Sequence, residues 1–450
     1  MTGSVQTQLR SRGIVQNIQR TVLTLFALST LLLFLAPTPG LCDTTIVVWN
    51  KQRIDHNYRV DFTRVHFPDM RQKYKRIIMS YKLECPRTGC DPWDRLGEVF
   101  ILDPAGAANY PTDSLNPLYF GVDRYELGRY VTPYGEDWSW ERDVSHMRSL
   151  LHDSVTFGTY ITIFKQFNHH DDPIGYLVSM SLRFEEGESD FLATDVDLLW
   201  HGMFELGNPE DPIEDHLTPI KVKPSEEFAV VRVAASGHGQ GNTDNAGEFM
   251  KKFHMLKAGS GLFAHELWRD DCGNVASGEQ YGTWKLSRAG FCPGSEVYPW
   301  VNDVSQFYRP GESLTLDYDI EPYINLCRPE ADPCPCDNCE KNDAHSMPEI
   351  IMDAHIVYYR VAPSTPGLQN KFEVKEGSSP ERLLLRSRFG KPVDIVVSVL
   401  NPLGTLLYYQ VYKGVEDQNL EIDLTSTPGK YLLKVETSEG TFREMVEVGL

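Results

Sequence analysis

The segment TTIVVWNKQRIDHNYRVDFTRVHFPDMRQKYKRIIMSYKL, Thr44–Leu83, decides the fold class. It contains three runs, TTIVVW, RVDFTRVHF and KRIIMSYKL, rich in Val, Ile, Tyr, Phe and Thr and separated by turn residues. Such side chains pack well on a pleated surface, and no amphipathic helical pattern of about 10 to 15 residues divides the runs, so they read as antiparallel strands and not βαβ units. Outward from this segment the pattern continues through EVFILD, TYITIFKQF, YLVSMSLRF, AVVRVAA, LTLDYDI and EIIMDAHIVYYRV. The chain is therefore expected to be all-β, a sandwich or barrel, with one brief helix around Val144–Leu151.

Punctuation divides it into blocks. One runs from residue 44 to the EEGES turn near Asp190, and a second from 191 to 362. PSTPG opens a linker over residues 363–369. Residues 370–450 alternate apolar and polar side chains and form a small antiparallel sandwich of their own. With 450 residues, more than one core is expected. The 41% hydrophobic and 11% aromatic content excludes wholesale disorder. Forty-three Lys and Arg against 63 Asp and Glu leave a net charge of −20, which repels phosphate backbones and argues against a nucleic-acid partner.

Residues 1–42 read as a signal peptide: Arg10, Arg12 and Arg20 precede the apolar run TVLTLFALSTLLLFLA, and PTPG follows. That run is shorter than the ~20 residues of a spanning helix, although an uncleaved signal-anchor is the alternative. The expected mature chain is a monomer, free of the membrane, secreted or at the cell surface. Cleavage after Cys42 would leave eight of the nine cysteines and a disulfide framework, whereas cleavage after Gly40 would leave an odd count. No N-x-S/T sequon is present, consistent with a host that does not N-glycosylate.

The densest chemical constellation is ECPRTGCDPWDR, Glu84–Arg95. A bridge between Cys85 and Cys90 would close a small ring around Pro86 and Gly89 and fix the backbone displaying Asp91, Trp93, Asp94 and Arg95. A carboxylate held beside an aromatic and a guanidinium suits a polar substrate; equally, the Asp and Arg could simply pair with each other across a structural turn. A second island, SGHGQGNTDNAGEFMKKFH, spans Ser236–His254. Its glycines allow close backbone approach to a ligand, and Glu248 sits where the loop returns to a strand. It lacks GxxxxGK[ST] and is no phosphate loop. In a third, CGNVASGEQYGTWKLSRAGFCPG, a Cys272–Cys292 bridge would hold Arg288 and Phe291 in place.

Taken in order, ECPRTGCDPWDR, GRYVTPY (Gly128–Tyr134), the SGxG loop with its later Glu, and RAGFCPG resemble the bacterial peptide:N-glycosidase F family over about residues 44 to 362. The resemblance implies two adjacent eight-stranded antiparallel jelly-roll sandwiches with an active site in the cleft between them. It also implies hydrolysis of the amide joining an N-linked glycan to Asn, on glycosylated proteins or peptides, with no cofactor and no metal. The family's catalytic aspartate falls on Asp94 and its essential glutamate on Glu248. Trp93, Arg95, Arg288 and Phe291 fall on positions around the substrate, the last being Trp in the family. Asp94 is then the general base, with Glu248, held by Arg288, positioning the sugar. Arg95 or Arg288 would stabilise developing charge, while Trp93, Phe249 and Phe291 pack sugar faces.

Three departures stand out. Gln166 occupies the place of a third acid, His238 replaces a Trp, and Ala246 and Met250 replace a cysteine pair around the glutamate. A non-catalytic glycan-binding relative, or a glycosidase using the same carboxylates, are the alternative readings.

Cys327, Cys334, Cys336 and Cys339 form a cluster that reads as two disulfides, with a zinc site as the alternative. His169, His170, Asp171 and Asp172 read as a solvated turn in preference to a copper or zinc site. The tail, with VLNPLGTLLYYQVYKG and TPGKYLLKV, resembles the C-terminal sorting domains of the Bacteroidetes type IX system; a carbohydrate-binding or spacer sandwich is the alternative.

Overall fold

The structure, a computed structural model, describes residues 43–67, 74–103, 123–165, 168, 170, 172–275, 278–329, 346–424 and 428–449. The signal-peptide reading, Gln166, His169, Asp171, Cys334, Cys336 and Cys339 lie outside these residues. Residues 43–450 form one compact unit. Among the described residues no helix is long and apolar enough to cross a membrane.

Eight strands open the chain: β1 (Thr44–Asp55), β2 (Val60–His66), β3 (Tyr74–Glu84), β4 (Leu96–Leu102), β5 (Arg124–Val131), β6 (Trp138–Asp143), β7 (Ser154–Ile161) and β8 (Gly175–Glu186). Nine follow: β9 (Phe191–Glu205), β10 (Ile220–Val222), β11 (Phe228–His238), β12 (Phe253–Ala258), β13 (Gly261–Glu266), β14 (Ser295–Glu296), β15 (Trp300–Asp303), β16 (Leu314–Ile320) and β17 (Glu349–Val361). The tail adds β18 (Phe372–Glu376), β19 (Arg382–Ser387), β20 (Val393–Leu400), β21 (Leu406–Val415), β22 (Asn419–Asp423), β23 (Gly429–Thr437) and β24 (Gly440–Val448). The brief helix near Val144 is a 3-10 turn, Ser145–Leu150.

In the first sandwich, a sheet ordered β1-β8-β3-β6 packs on one ordered β14-β5-β4-β7-β2. The two-residue period decides which side chains meet: β8 sends Tyr176, Val178, Met180, Leu182 and Phe184 inward, while Ser179, Ser181 and Arg183 alternate outward. Val99, Ile101, Leu127 and Phe157 face them from the other sheet, and each such burial contributes about 1.5–3 kcal/mol. The second sandwich pairs β10-β16-β12-β13 with β15-β11-β17-β9, and the third pairs β18-β19-β22 with β21-β20-β23-β24. The second and third have cores of their own.

The first two sandwiches share a seam. Leu96, Phe100, Val131 and Tyr160 of the first pack against Ala234, Phe291, Val297 and Ile351 of the second. Short strand β14, in sequence part of the second block, hydrogen-bonds to β5 of the first, opposite Tyr130 and Val131. Arg129 donates to the carbonyl of Ile351 at 2.6 Å and to Ser236 Oγ at 3.3 Å, and it pairs with Glu126. The third sandwich is held by charge: Arg443 Nε to Asp190 (2.8 Å) and Lys430 Nζ to Glu227 (3.3 Å).

Candidate active site at the seam

The loop after β3 is built as a rigid platform. Cys85 and Cys90 are bridged, and the turn between them closes with Gly89 N–H donating to Pro86 O at 2.9 Å. Asp91, wholly buried, accepts from Arg95 Nε at 2.8 Å and from the Trp93 N–H at 3.0 Å. Arg95 N–H donates in turn to Thr132 Oγ1 (2.8 Å), and its guanidinium lies over the Phe164 ring. The Asp–Arg pairing expected of a structural turn is thus present, but between Asp91 and Arg95. Asp94 is left pointing across the seam.

There it meets Arg288, which comes from the second sandwich and is only 1% exposed. Arg288 Nη2 lies 3.8 Å from Asp94 Oδ2, while its Nε donates to Glu248 Oε1 at 2.7 Å. One guanidinium therefore joins an acid from each sandwich. Arg288 is itself fixed: Nη1 donates to the carbonyls of Thr283 (2.9 Å) and Leu286 (3.0 Å), and Nη2 to Thr283 Oγ1 (2.8 Å). Phe249 and Phe291 place their rings against its carbon, at 5.4 and 5.6 Å.

Glu248 is carried to this point by close backbone packing. A Cβ on Gly247 would lie 2.0 Å from His238 O, and one on Gly237 2.1 Å from Gly247 O. These two glycines serve the approach of the loop to β11, an approach no larger residue permits. Gln240 Nε2 donates to the second carboxylate oxygen of Glu248 at 3.1 Å. The Cys272–Cys292 bridge closes the segment that bears Arg288.

Asp94 is poised electrostatically. Burial, opposed by a hydrogen bond from the Tyr134 hydroxyl, is the main cause that raises its carboxyl, with the Glu248 charge adding and Arg288 subtracting, and together they push it up to about 6. Tyr134, pushed up to about 12 by burial and then by Asp94, stays protonated and able to donate. A carboxylate titrating near neutrality can accept a proton from water, and a cation held beside it can stabilise charge growing on an oxygen.

Of the residues expected to contact substrate, Trp93 is 54% exposed beside Asp94, and Phe249 is half-buried under Arg288. Arg95 is engaged with Asp91, so its charge is turned away from Asp94. Phe291 is 2% exposed in the seam core and presents no open face for a sugar. His238 stacks on it at 4.9 Å and meets Ser236 Oγ at 2.8 Å; burial, then the nearby Arg129, pushes its imidazole down to about 3. Both are placed as packing residues beneath the site. Cys327 is buried and disulfide-bonded. His170 and Asp172 are exposed, on a loop whose N–H groups Asn168 Oδ1 accepts at 2.9 and 3.0 Å.

Sequence reading assigned no role to Tyr134, Thr283 or Gln240. Tyr134 ends the GRYVTPY motif, which was a usable signal; Thr283 and Gln240 act through ordinary loop positions that carry none.

Comparison with known proteins bears on both sandwiches. Residues 43–184 match the family described as peptide-N-glycosidase F, N terminal, and residues 212–357 that described as peptide-N-glycosidase F, C terminal. The peptide-N(4)-(N-acetyl-beta-D-glucosaminyl)asparagine amidase F of Elizabethkingia miricola is 24% identical over 278 residues, 58% of this chain and 71% of that protein. Among solved structures, PNGase F from Flavobacterium meningosepticum, titled a glycosylasparaginase, aligns over 71% of this chain and 99% of its own with TM-score 0.56 at 19% identity. PNGF-II aligns over 70% of this chain and 65% of its own, TM-score 0.50, 16% identity. These structural likenesses concern the fold.

Proposed function

The chain belongs to the peptide-N-glycosidase F family, and from that premise we propose that it is an amidase that hydrolyses the bond between an N-linked glycan and its asparagine. The observation that carries this reading is the single buried guanidinium of Arg288, which holds Asp94 of one sandwich and Glu248 of the other at one locus. In the reaction, Asp94 takes a proton from water as the water oxygen bonds to the amide carbon. Arg288 supports the negative charge on the former carbonyl oxygen. Collapse breaks the C–N bond, and the proton held by Asp94 passes to the departing nitrogen. An aspartate and a glycosylamine result, and the glycosylamine then loses ammonia in water. Glu248, locked between Arg288 and Gln240, positions the sugar bearing that nitrogen. Trp93 offers an exposed ring for the apolar face of the sugar.

The substrates are N-glycosylated proteins or peptides, reached outside the cytoplasm: the leader over residues 1–42 and the sorting-like tail support export to the medium or cell surface. Mass spectrometry of a treated glycopeptide tests the reading. Asn converted to Asp supports the amidase. Asn retaining one GlcNAc would make it a glycosidase, and an unchanged peptide that still binds would make it a lectin-like relative.

A further inference from the structure

A crevice of about 440 Å³ lies where all three sandwiches meet, and none of its lining residues belongs to the Asp94 site. Its walls come from the start of β3, the turn after β6, the start of β9 and the loop after β20 that carries Leu403 and Gly404. On its floor sits Arg232 of β11. Strand β11 continues to Ser236 beneath the active site, four residues and about 13 Å further on.

The charges facing the crevice differ in what holds them. Arg76 pairs with Glu185 at 2.9 Å, and Lys75 reaches the same carboxylate at 3.8 Å. Arg148 donates to Tyr74 O at 2.9 Å. Asp190 is taken by Arg443 and Lys434, and Asp143 accepts from the Ser145 N–H at 2.9 Å. His146 stacks on His355 at 5.6 Å, and burial keeps its ring uncharged. Arg232 alone among these cations has neither a side-chain hydrogen bond nor an ion pair within the described residues. It is enclosed enough that burial lowers its pKa from the ordinary value; Tyr359 and the Asp143 carboxylate oppose that shift and the Arg142 charge adds to it. A desolvated guanidinium whose N–H groups meet no acceptor among the described residues, and on which the Asp143 carboxylate acts only through space, is costly, and an anion bonding to it in the crevice would reduce that cost.

We propose that this crevice binds one carboxylate carried on a body of monosaccharide size, with Arg232 as its counter-ion. The planar fork of a guanidinium matches a carboxylate in two parallel bonds. One free cation matches one negative charge and not the two of phosphate. The volume lies within the roughly 300–1,000 Å³ of small-ligand sites, and Ile77, Phe191, Tyr359 and Leu403 supply apolar wall for a ring. The assignment does not depend on the amidase reading. The carboxylate has two sources, an acidic sugar within a glycan or a free sugar acid.

Titration calorimetry on the full chain tests it with N-acetylneuraminic acid, glucuronic acid, neutral N-acetylglucosamine and inorganic phosphate. The sugar acids are expected to bind, and Arg232→Gln to weaken them at least about tenfold, in line with the loss of a charged hydrogen-bonded pair. Leu403→Asp, on the half-exposed third-sandwich loop, is expected to weaken them without touching the β11 core. Deglycosylation of a neutral glycopeptide should be unchanged in both. Equal binding of the neutral sugar, binding of phosphate alone, or retention of sugar-acid affinity in both variants overturns the site. A sialylated glycopeptide beside its desialylated form then identifies the source: tighter binding of the sialylated one points to glycan, no difference to the free acid.

Discussion

The Asp91–Arg95 pair and the Asp94–Arg288–Glu248 cluster use the same chemistry a few residues apart, yet they do different work. Asp91 finds its arginine within its own loop, and both oxygens are bonded locally. Asp94 finds its arginine only across the seam, at the longer 3.8 Å, and shares it with a second acid. A local pair can form as soon as its loop folds and serves stability. A pair that requires two sandwiches and divides one cation between two carboxylates leaves an acid incompletely satisfied, so that burial, the main cause, can carry its titration toward neutral pH.

Four measurements can break or sharpen this contrast. Asp94→Asn is expected to lower deglycosylation by about a thousandfold or more, as removal of a general base does, with thermal unfolding nearly unchanged. Retained activity would refute the division of roles. Asp91→Ala strands a buried Arg95 and is expected to cost about 3–5 kcal/mol in denaturant unfolding, the range for breaking a buried ion pair. A small stability change there would mean that the platform does not depend on the pair.

The pH profile comes next. If Asp94 acts as base, activity is present above about 6 and falls as pH drops through that value. Its stability contribution runs oppositely: because the folded value is raised, that contribution is complete below 3.8 and lost as pH rises through about 6. Tyr134→Phe removes a hydrogen bond that favours the ionised acid. The acid limb should then move upward by up to about one pH unit, since such bonds are worth about 1.5 kcal/mol. An immobile limb would exclude Tyr134 from the site. Smallest of all, Trp93→Ala should leave stability within about 0.5 kcal/mol and raise KM with kcat little changed. A falling kcat at constant KM would remove the sugar-packing role.

The all-β fold was legible because β1, β3 and β8 are dense in branched and aromatic residues. Other strands hid. RYELGRYV, strand β5, is buried along its whole length although it carries two arginines and a glutamate. Arg124 is paired with Glu98 and Arg129 with Glu126 of the same strand, and Arg129 also donates to the carbonyl of Ile351, 222 residues away in sequence, which local pattern cannot show. Strand β6, WSWERD, alternates between half-buried and exposed and reads more like a loop. At the site, the family resemblance carried by the order of the motifs singled out Asp94, Glu248 and Arg288; residue types and spacing alone left a structural turn and a surface glutamate open. They could not show that Arg95 would turn inward to Asp91 or that Phe291 would be consumed by the seam. The first is decided within the loop, where two aspartates stand within four residues of the same arginine and spacing does not choose between them; the second depends on packing between segments roughly 200 residues apart in sequence.

The two-residue strand β14 has an outcome for dissection of the protein. A chain cut at residue 190 would retain every long strand of the first sandwich but lose the segment that covers β5. The backbone of Tyr130 and Val131 would become an open edge, flanked by apolar seam residues now facing water. Such a fragment should self-associate through that edge, so light scattering, not catalysis, would be its first recorded property.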